Sequence, residues 1–158
     1  MRVLFLDIDG VLTVHNFDRK AQSNYILPAK VDILNRVLDE TGCIIVLSSA
    51  WRYQVLGGAM TLRGFDYLLR SHRVRVGRLV GVTDKDPIPL DPPDQYKGRA
   101  RVIQKWVDEH PVEAFAVVDD GKVGFEGLPI VSTDGQVGIT EADADRLIEI
   151  LGREDAQA

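Results

Sequence analysis

The sequence predicts an α/β domain: a parallel sheet of about five strands with helices on both faces. Three observations carry this expectation. Short apolar runs alternate with longer stretches of helical periodicity along the 158-residue chain. The runs are continuously apolar instead of alternating, as strands buried on both faces require. Three of them stop on polar groups, at Asp7 with Asp9, at Ser48, and at Asp119 with Asp120. Ligands of open parallel sheets bind beyond the carboxyl ends of the strands. The arrangement expected is therefore Rossmann-like.

Each element follows from local chemistry. Val3–Leu6 is a buried strand bounded by charge and glycine. From Pro28 the period becomes helical: Val31, Leu34, Val37 and Leu38 share one face, and Gly42 stops the helix. Cys43–Leu47 is a second strand, ending at "SSAWR". After a turn at Gly57-Gly58, a helix carries Leu62, Phe65, Leu68 and Leu69, and a strand is expected around Val76–Val82. "TDKDPIPLDPPDQY" holds four prolines and no periodicity, so it is a loop. Lys97 opens a helix with Val102, Ile103, Trp106 and Val107 on its buried face. Ala114–Val118 and Leu128–Val131 are the last strands. Thr140, with Asp143 three residues on, caps a helix striped by Ala144, Leu147, Ile148 and Leu151.

Composition bounds the class. Hydrophobic residues make up 45% and charged residues 27%, as in a soluble globular domain. One domain is expected over residues 1–152, with a frayed tail at 153–158. No apolar run suits a membrane span, and Asp7 and Asp9 interrupt what would otherwise be an early signal-like stretch, so the expected location is cytoplasmic. The single cysteine, Cys43, excludes an internal disulfide, and no Cys/His cluster suggests zinc. A net charge of −5 gives no general attraction to nucleic acid. Locally the balance reverses: Arg63, Arg70, Arg73, Arg75, Arg78 and His72 face a single acid, Asp66. This stretch reads either as a solvated helix face or as a patch for a phosphate-rich substrate.

The stretch "RVLFLDIDGVLT" poses the chemical question, because two aspartates one residue apart follow a buried strand. Residues two apart on an extended strand point to the same side. One carboxylate can then attack a substrate while its neighbour handles a proton. Gly10 permits a sharp turn and leaves room for a ligand. Carboxylates converging from two strand ends would repel one another without a cation, and Mg²⁺ suits oxygen ligands with a substrate phosphate.

These residues resemble the haloacid dehalogenase (HAD) superfamily. "FLDIDGVLT" is similar to its first motif, "IIVLSS" to its second, "KGRA" to its third and "AVVDDG" to its fourth, in the correct order over most of the chain. The finer text, "VLSSAWR" with "IQKWVDEH" and "VVDD", is similar to small HAD domains associated with RNA-repair proteins. The resemblance implies a Mg²⁺-dependent phosphatase. Asp7 would be the nucleophile that forms an aspartyl-phosphate, and Asp9 the acid and base, its backbone carbonyl a metal ligand. Ser48 would donate to a phosphoryl oxygen, and Lys97 would neutralise phosphoryl charge, with Arg99 as the alternative cation. Asp119 would hold the metal, with Asp120 as ligand or neighbour. An acid at Asp9 marks the phosphatases of the superfamily, as against its dehalogenases and phosphonatases.

The substrate is less defined. Residues 11–27 are too few for a folded cap, and the slot from Thr83 to Tyr96 is the proline-rich loop, so a capless, HAD-like domain is expected. An open site admits a nucleic-acid end as well as a small phosphate ester. Candidate substrate contacts are Gly10, Ser49, Trp51, Arg52 and Arg99, with Trp51 as a stacking surface and Arg52 as a phosphate ligand. His15 and Asn16 lie on the expected flap. The alternative to an enzyme is a catalytically silent HAD-fold domain that binds a phosphorylated or nucleic-acid partner.

Overall fold

Five strands, β1 (Arg2–Leu6), β2 (Ile44–Leu47), β3 (Leu79–Val82), β4 (Ala114–Asp119) and β5 (Ile130–Ser132), form one sheet. All neighbours are parallel, in the order β3-β2-β1-β4-β5. The structure is a computed structural model and describes residues 1–15, 25–85 and 95–154. Residues 16–24 of the expected flap, Asn16 among them, the centre of the proline-rich loop and the last four residues lie outside the described residues.

The pleat sends alternate strand residues to opposite faces, and each face has its own core. Leu4, Leu6, Ile45, Leu47 and Val118 pack beneath α1 (Pro28–Thr41), α3 (Leu62–Ser71) and α5 (Glu141–Leu151). Val3, Phe5, Val46 and Val117 face α4 (Gln95–Glu109) through Ile103 and Trp106. Phe5 meets the Trp106 ring edge-on at 5.7 Å between centroids. Phe125, on the connection between β4 and β5, joins the same cluster. The sheet is thus covered on both faces, as its continuously apolar strands require. Among the described residues neither insertion slot holds a further folded unit, and no helix is long and apolar enough to cross a membrane.

Sequence cues place the helix ends well. Pro28 lies in the first turn of α1, and Gly42 closes it by donating to the Leu38 carbonyl. Thr140 and Asp143 form a reciprocal capping box on α5. After β2 the chain makes a 3-10 turn at Ala50–Arg52 and the single-turn α2 (Tyr53–Leu56).

Several boundaries move, β5 among them, which spans Ile130–Ser132 instead of Leu128–Val131. α4 begins at Gln95, before Lys97. β3 begins at Leu79 instead of near Val76, because the preceding residues are clipped onto α1 by a side chain. The buried Asn35 amide donates to the Arg73 carbonyl at 2.9 Å and accepts from the Arg75 N–H at 3.1 Å. Arg73 between these bonds has φ +70°, a left-handed conformation uncommon for a residue with a side chain. Asn35→Ala strands two backbone groups and should destabilise the protein by about 1–3 kcal/mol, read from urea denaturation.

Candidate active site

The strands end in step. Leu6 pairs with Leu47 on one side and Val118 on the other, while Leu47 pairs with Val82 and Val118 with Val131. One residue further, the backbone bonds continue from Ser48 N–H to Leu6, from Asp7 N–H to Val118, and from Thr83 N–H to Leu47. Thr83, Ser48, Asp7, Asp119 and Ser132 therefore form a polar row directly after the last apolar row. A pleat step turns this row toward the α4 face. The order of connections reverses between β1 and β4, and Asp7 and Asp119 stand at that switch point.

Both carboxylates are out of water, Asp7 being 4% and Asp119 0% exposed. Burial first, and then the charge of Asp119, push the Asp7 carboxyl well above its ordinary range; Arg99 opposes this. Burial likewise raises Asp119, again opposed by Arg99. The Arg99 guanidinium donates to Asp119 Oδ2 at 2.6 Å and lies 3.7 Å from Asp7 Oδ2. Ile8 N–H and Gly121 N–H add one bond each, to Asp7 and Asp119 respectively.

The sequence reading favours Lys97 as this cation, and the structure puts Arg99 there. Lys97 is exposed and lines a surface hollow with Glu126. The Glu126 carboxyl is held below its ordinary range by its own and the Gly124 N–H groups, and then by Lys97. The physical reason is helical phase. Arg99 shares the stripe of Ile103 and Trp106, four and seven residues on, which faces the sheet. Lys97 lies off that stripe. This signal was present in the sequence.

Asp9 is held apart from the buried pair. Its Oδ2 accepts from the Trp51 indole at 2.9 Å, and its Oδ1 from the Thr13 hydroxyl at 3.2 Å. The Trp51 indole N–H thus orients an acid, and nothing in the sequence pattern signals this pairing. Arg52 departs from its expected role as a phosphate ligand. It is 1% exposed, and donates to the Ser48 and Ser49 carbonyls at 3.0 Å each and to the Asp84 carbonyl at 3.3 Å. It fixes the chain after β2 from inside. Ser49 Oγ caps the 3-10 turn by accepting from Trp51 N–H. The Ser48 hydroxyl, by contrast, is buried without a hydrogen-bond partner among the described residues. A buried orphan of this kind is costly unless a ligand completes it.

Asp120 reaches the cluster by a different route. His15 Nε2 meets Asp120 Oδ2 at 2.6 Å, and the His15 N–H donates to the Gly135 carbonyl. A side chain at Gly10, whose φ is +79°, would collide with the Asp120 carboxylate; one at Gly135 would collide with both His15 and Asp120. The room that Gly10 provides is occupied by Asp120, not left for a ligand. Asp7, Asp119 and Asp120 each offer one oxygen within 4.8 Å of the others. Three oxygen donors carrying excess negative charge, with one guanidinium between two of them, fit a divalent cation. The Asp9 side chain is not in this set.

The raised carboxyl pKa values have a consequence for stability. Without metal, the folded state holds protons on Asp7 and Asp119 more tightly than the unfolded chain does. Their burial penalty is absent below the ordinary carboxylate range and grows as pH rises through the folded-state values. Asp7→Asn should therefore stabilise the metal-free protein by about 0.5–2 kcal/mol. The gain should be larger near pH 8 than near pH 5, as thermal unfolding at both would show.

Comparison with known proteins agrees with this geometry. No curated protein and no solved structure matches the chain. The family described as the HAD domain in Swiss Army Knife RNA repair proteins matches residues 3–144, a span that holds the whole polar row together with Asp9, His15, Trp51 and Arg99. The chain belongs to this family of HAD domains.

Proposed function

We propose that the chain hydrolyses phosphate monoesters at this crevice through an aspartyl-phosphate on Asp7, and that its substrate phosphate terminates a polynucleotide. The observation that carries the reading is the division of labour among the acids. Asp7 lies with Asp119 in the polar row and shares one guanidinium with it, while Asp9 is held separately by Trp51 and Thr13. This difference in setting supports a reading in which one carboxylate attacks and the other exchanges a proton. The description of the family as a domain of RNA repair proteins supports the choice of a polynucleotide end.

In the first step an oxygen of Asp7 attacks phosphorus, the ester P–O bond breaks, and the protonated Asp9 gives its proton to the leaving alcohol. In the second, the Asp9 carboxylate takes a proton from water as that water attacks phosphorus, and the bond to Asp7 breaks to release phosphate. Arg99 offsets charge on the transferring group, and the unpartnered Ser48 hydroxyl donates to one of its oxygens. His15 holds one oxygen of Asp120 so that the other can face the crevice. Mg²⁺ held by Asp7, Asp119 and Asp120, with the Asp9 backbone carbonyl as a further oxygen, would supply neutralisation of the phosphoryl charge.

The test is phosphate release from an aryl phosphate and from 3′- and 5′-phosphorylated oligonucleotides, with Mg²⁺ and with EDTA. Release should require Mg²⁺ and fall by roughly 10³-fold or more in Asp7→Asn. No release from any substrate by a folded, Mg²⁺-binding protein would sink the reading. The two candidate cations separate in the same assay. Arg99→Ala should lower kcat by about 10²–10³-fold, whereas Lys97→Ala should leave it unchanged.

A further inference from the structure

The basic stretch between α3 and β3 is not absorbed by the site. Two of its members are structural or engaged: Arg78 donates to the Leu38 and Cys43 carbonyls, and Arg75 makes a two-bond pair with Asp39. Arg70 and Arg73 are exposed and form no ion pair among the described residues. They line a hollow of about 460 Å³ with Arg75, Tyr67 and Val76, of which Tyr67 is 70% and Val76 65% exposed. A second hollow of about 410 Å³ shares Ser71 and Arg73 with the first and continues past His72 to Tyr25, itself 45% exposed. Asp32 is the acid on this second wall.

The two hollows meet at Ser71 and Arg73 and together form what we call the furrow; each holds one tyrosine, and Arg70, Arg73 and Arg75 are among its lining residues. The furrow also has a fixed backbone, because Asn35 clamps Arg73 in its left-handed conformation from below. Its Tyr25 end adjoins the catalytic loop: two residues on, Leu27 N–H donates to the Leu12 carbonyl at 3.0 Å, three positions after Asp9. Exposed aromatic faces with interleaved arginines suit unpaired bases joined by phosphates, since every base has a face to stack and every linkage a charge to pair. A duplex would hide its base faces.

We infer that this furrow binds a single-stranded polynucleotide whose phosphorylated end lies in the crevice at Asp7. The inference rests on the proposed substrate class and adds the path of the strand. Arg70 and Arg73 contact phosphates, and Tyr67 stacks on a base.

The test uses the full chain without divalent metal, so that no turnover occurs, and a dye-labelled short single-stranded RNA followed by fluorescence anisotropy over a range of salt. The RNA is compared with the same sequence in DNA and with a duplex. The wild type should bind single strands in preference to the duplex. Arg70→Gln with Arg73→Gln should weaken binding and reduce the slope of log affinity against log salt by about 1.4, which is about 0.7 for each phosphate that is no longer neutralised. Tyr67→Ala should weaken binding about fivefold or more with an unchanged slope. Arg101→Gln, an exposed arginine on α4 across the sheet, should change neither. Hydrolysis of the aryl phosphate should be unaltered in all these variants. Wild-type protein that fails to bind, or a double variant no weaker than Arg101→Gln, overturns the inference. The readouts separate the two proposals, because loss of binding in the furrow variants supports the furrow even if no phosphate is released from any ester.

Discussion

Two carboxylates on adjacent strands, Asp7 and Asp119, sit side by side out of water with one guanidinium for both. Nearly everything else in the molecule arranges or tolerates this contact. Parallel pairing in register brings the two strand ends together, and the reversal of connection order at β1 and β4 leaves an opening above them. α4 must cross the opposite face from α1 to deliver Arg99, and the Phe5–Trp106 contact fixes the phase in which it does so. A hydrophobic core alone would not select this arrangement. It costs burial energy that a bound cation and an anionic substrate are suited to offset.

Around that contact the remaining polar groups fall into a supporting layer. Trp51 and Thr13 hold Asp9, His15 holds Asp120, and the buried Arg52 ties down the chain that carries Ser48. Several are residue types easily mistaken for substrate ligands. Their partners are protein atoms, and their effect is to reduce the freedom of the acids and hydroxyl that face the crevice. Only the Ser48 and Thr83 hydroxyls in the polar row are buried without a partner among the described residues.

The fold was legible because its signals are collective. Continuous apolar runs, helical stripes and caps at Pro28, Gly42 and Thr140 all point to the same layers. Boundaries shifted where a single distant side chain intervened, as Asn35 does before β3. The acids at Asp7, Asp9, Asp119 and Asp120 stood out because carboxylates next to buried strands need explaining. What periodicity cannot show is the partner of a side chain. Trp51 and Arg52 follow a strand end, where a side chain is free to meet substrate, yet one turns to Asp9 and the other to backbone carbonyls. Lys97 against Arg99 is a different case, since the stripe through Ile103 and Trp106 already pointed to Arg99 as the cation beside the buried carboxylates.

The polar row has a further meaning for how such a domain can change over time. It begins one residue after the apolar row that closes the core, so the polar groups at the strand ends and the groups that drive folding occupy separate ranks of the same sheet. A substitution in the polar row changes the rank of polar groups without touching the apolar side chains of the core. Divergence in reactivity can therefore outpace divergence in architecture. The acids are the exception, because a change at Asp7 or Asp119 also changes the charge that the interior must tolerate.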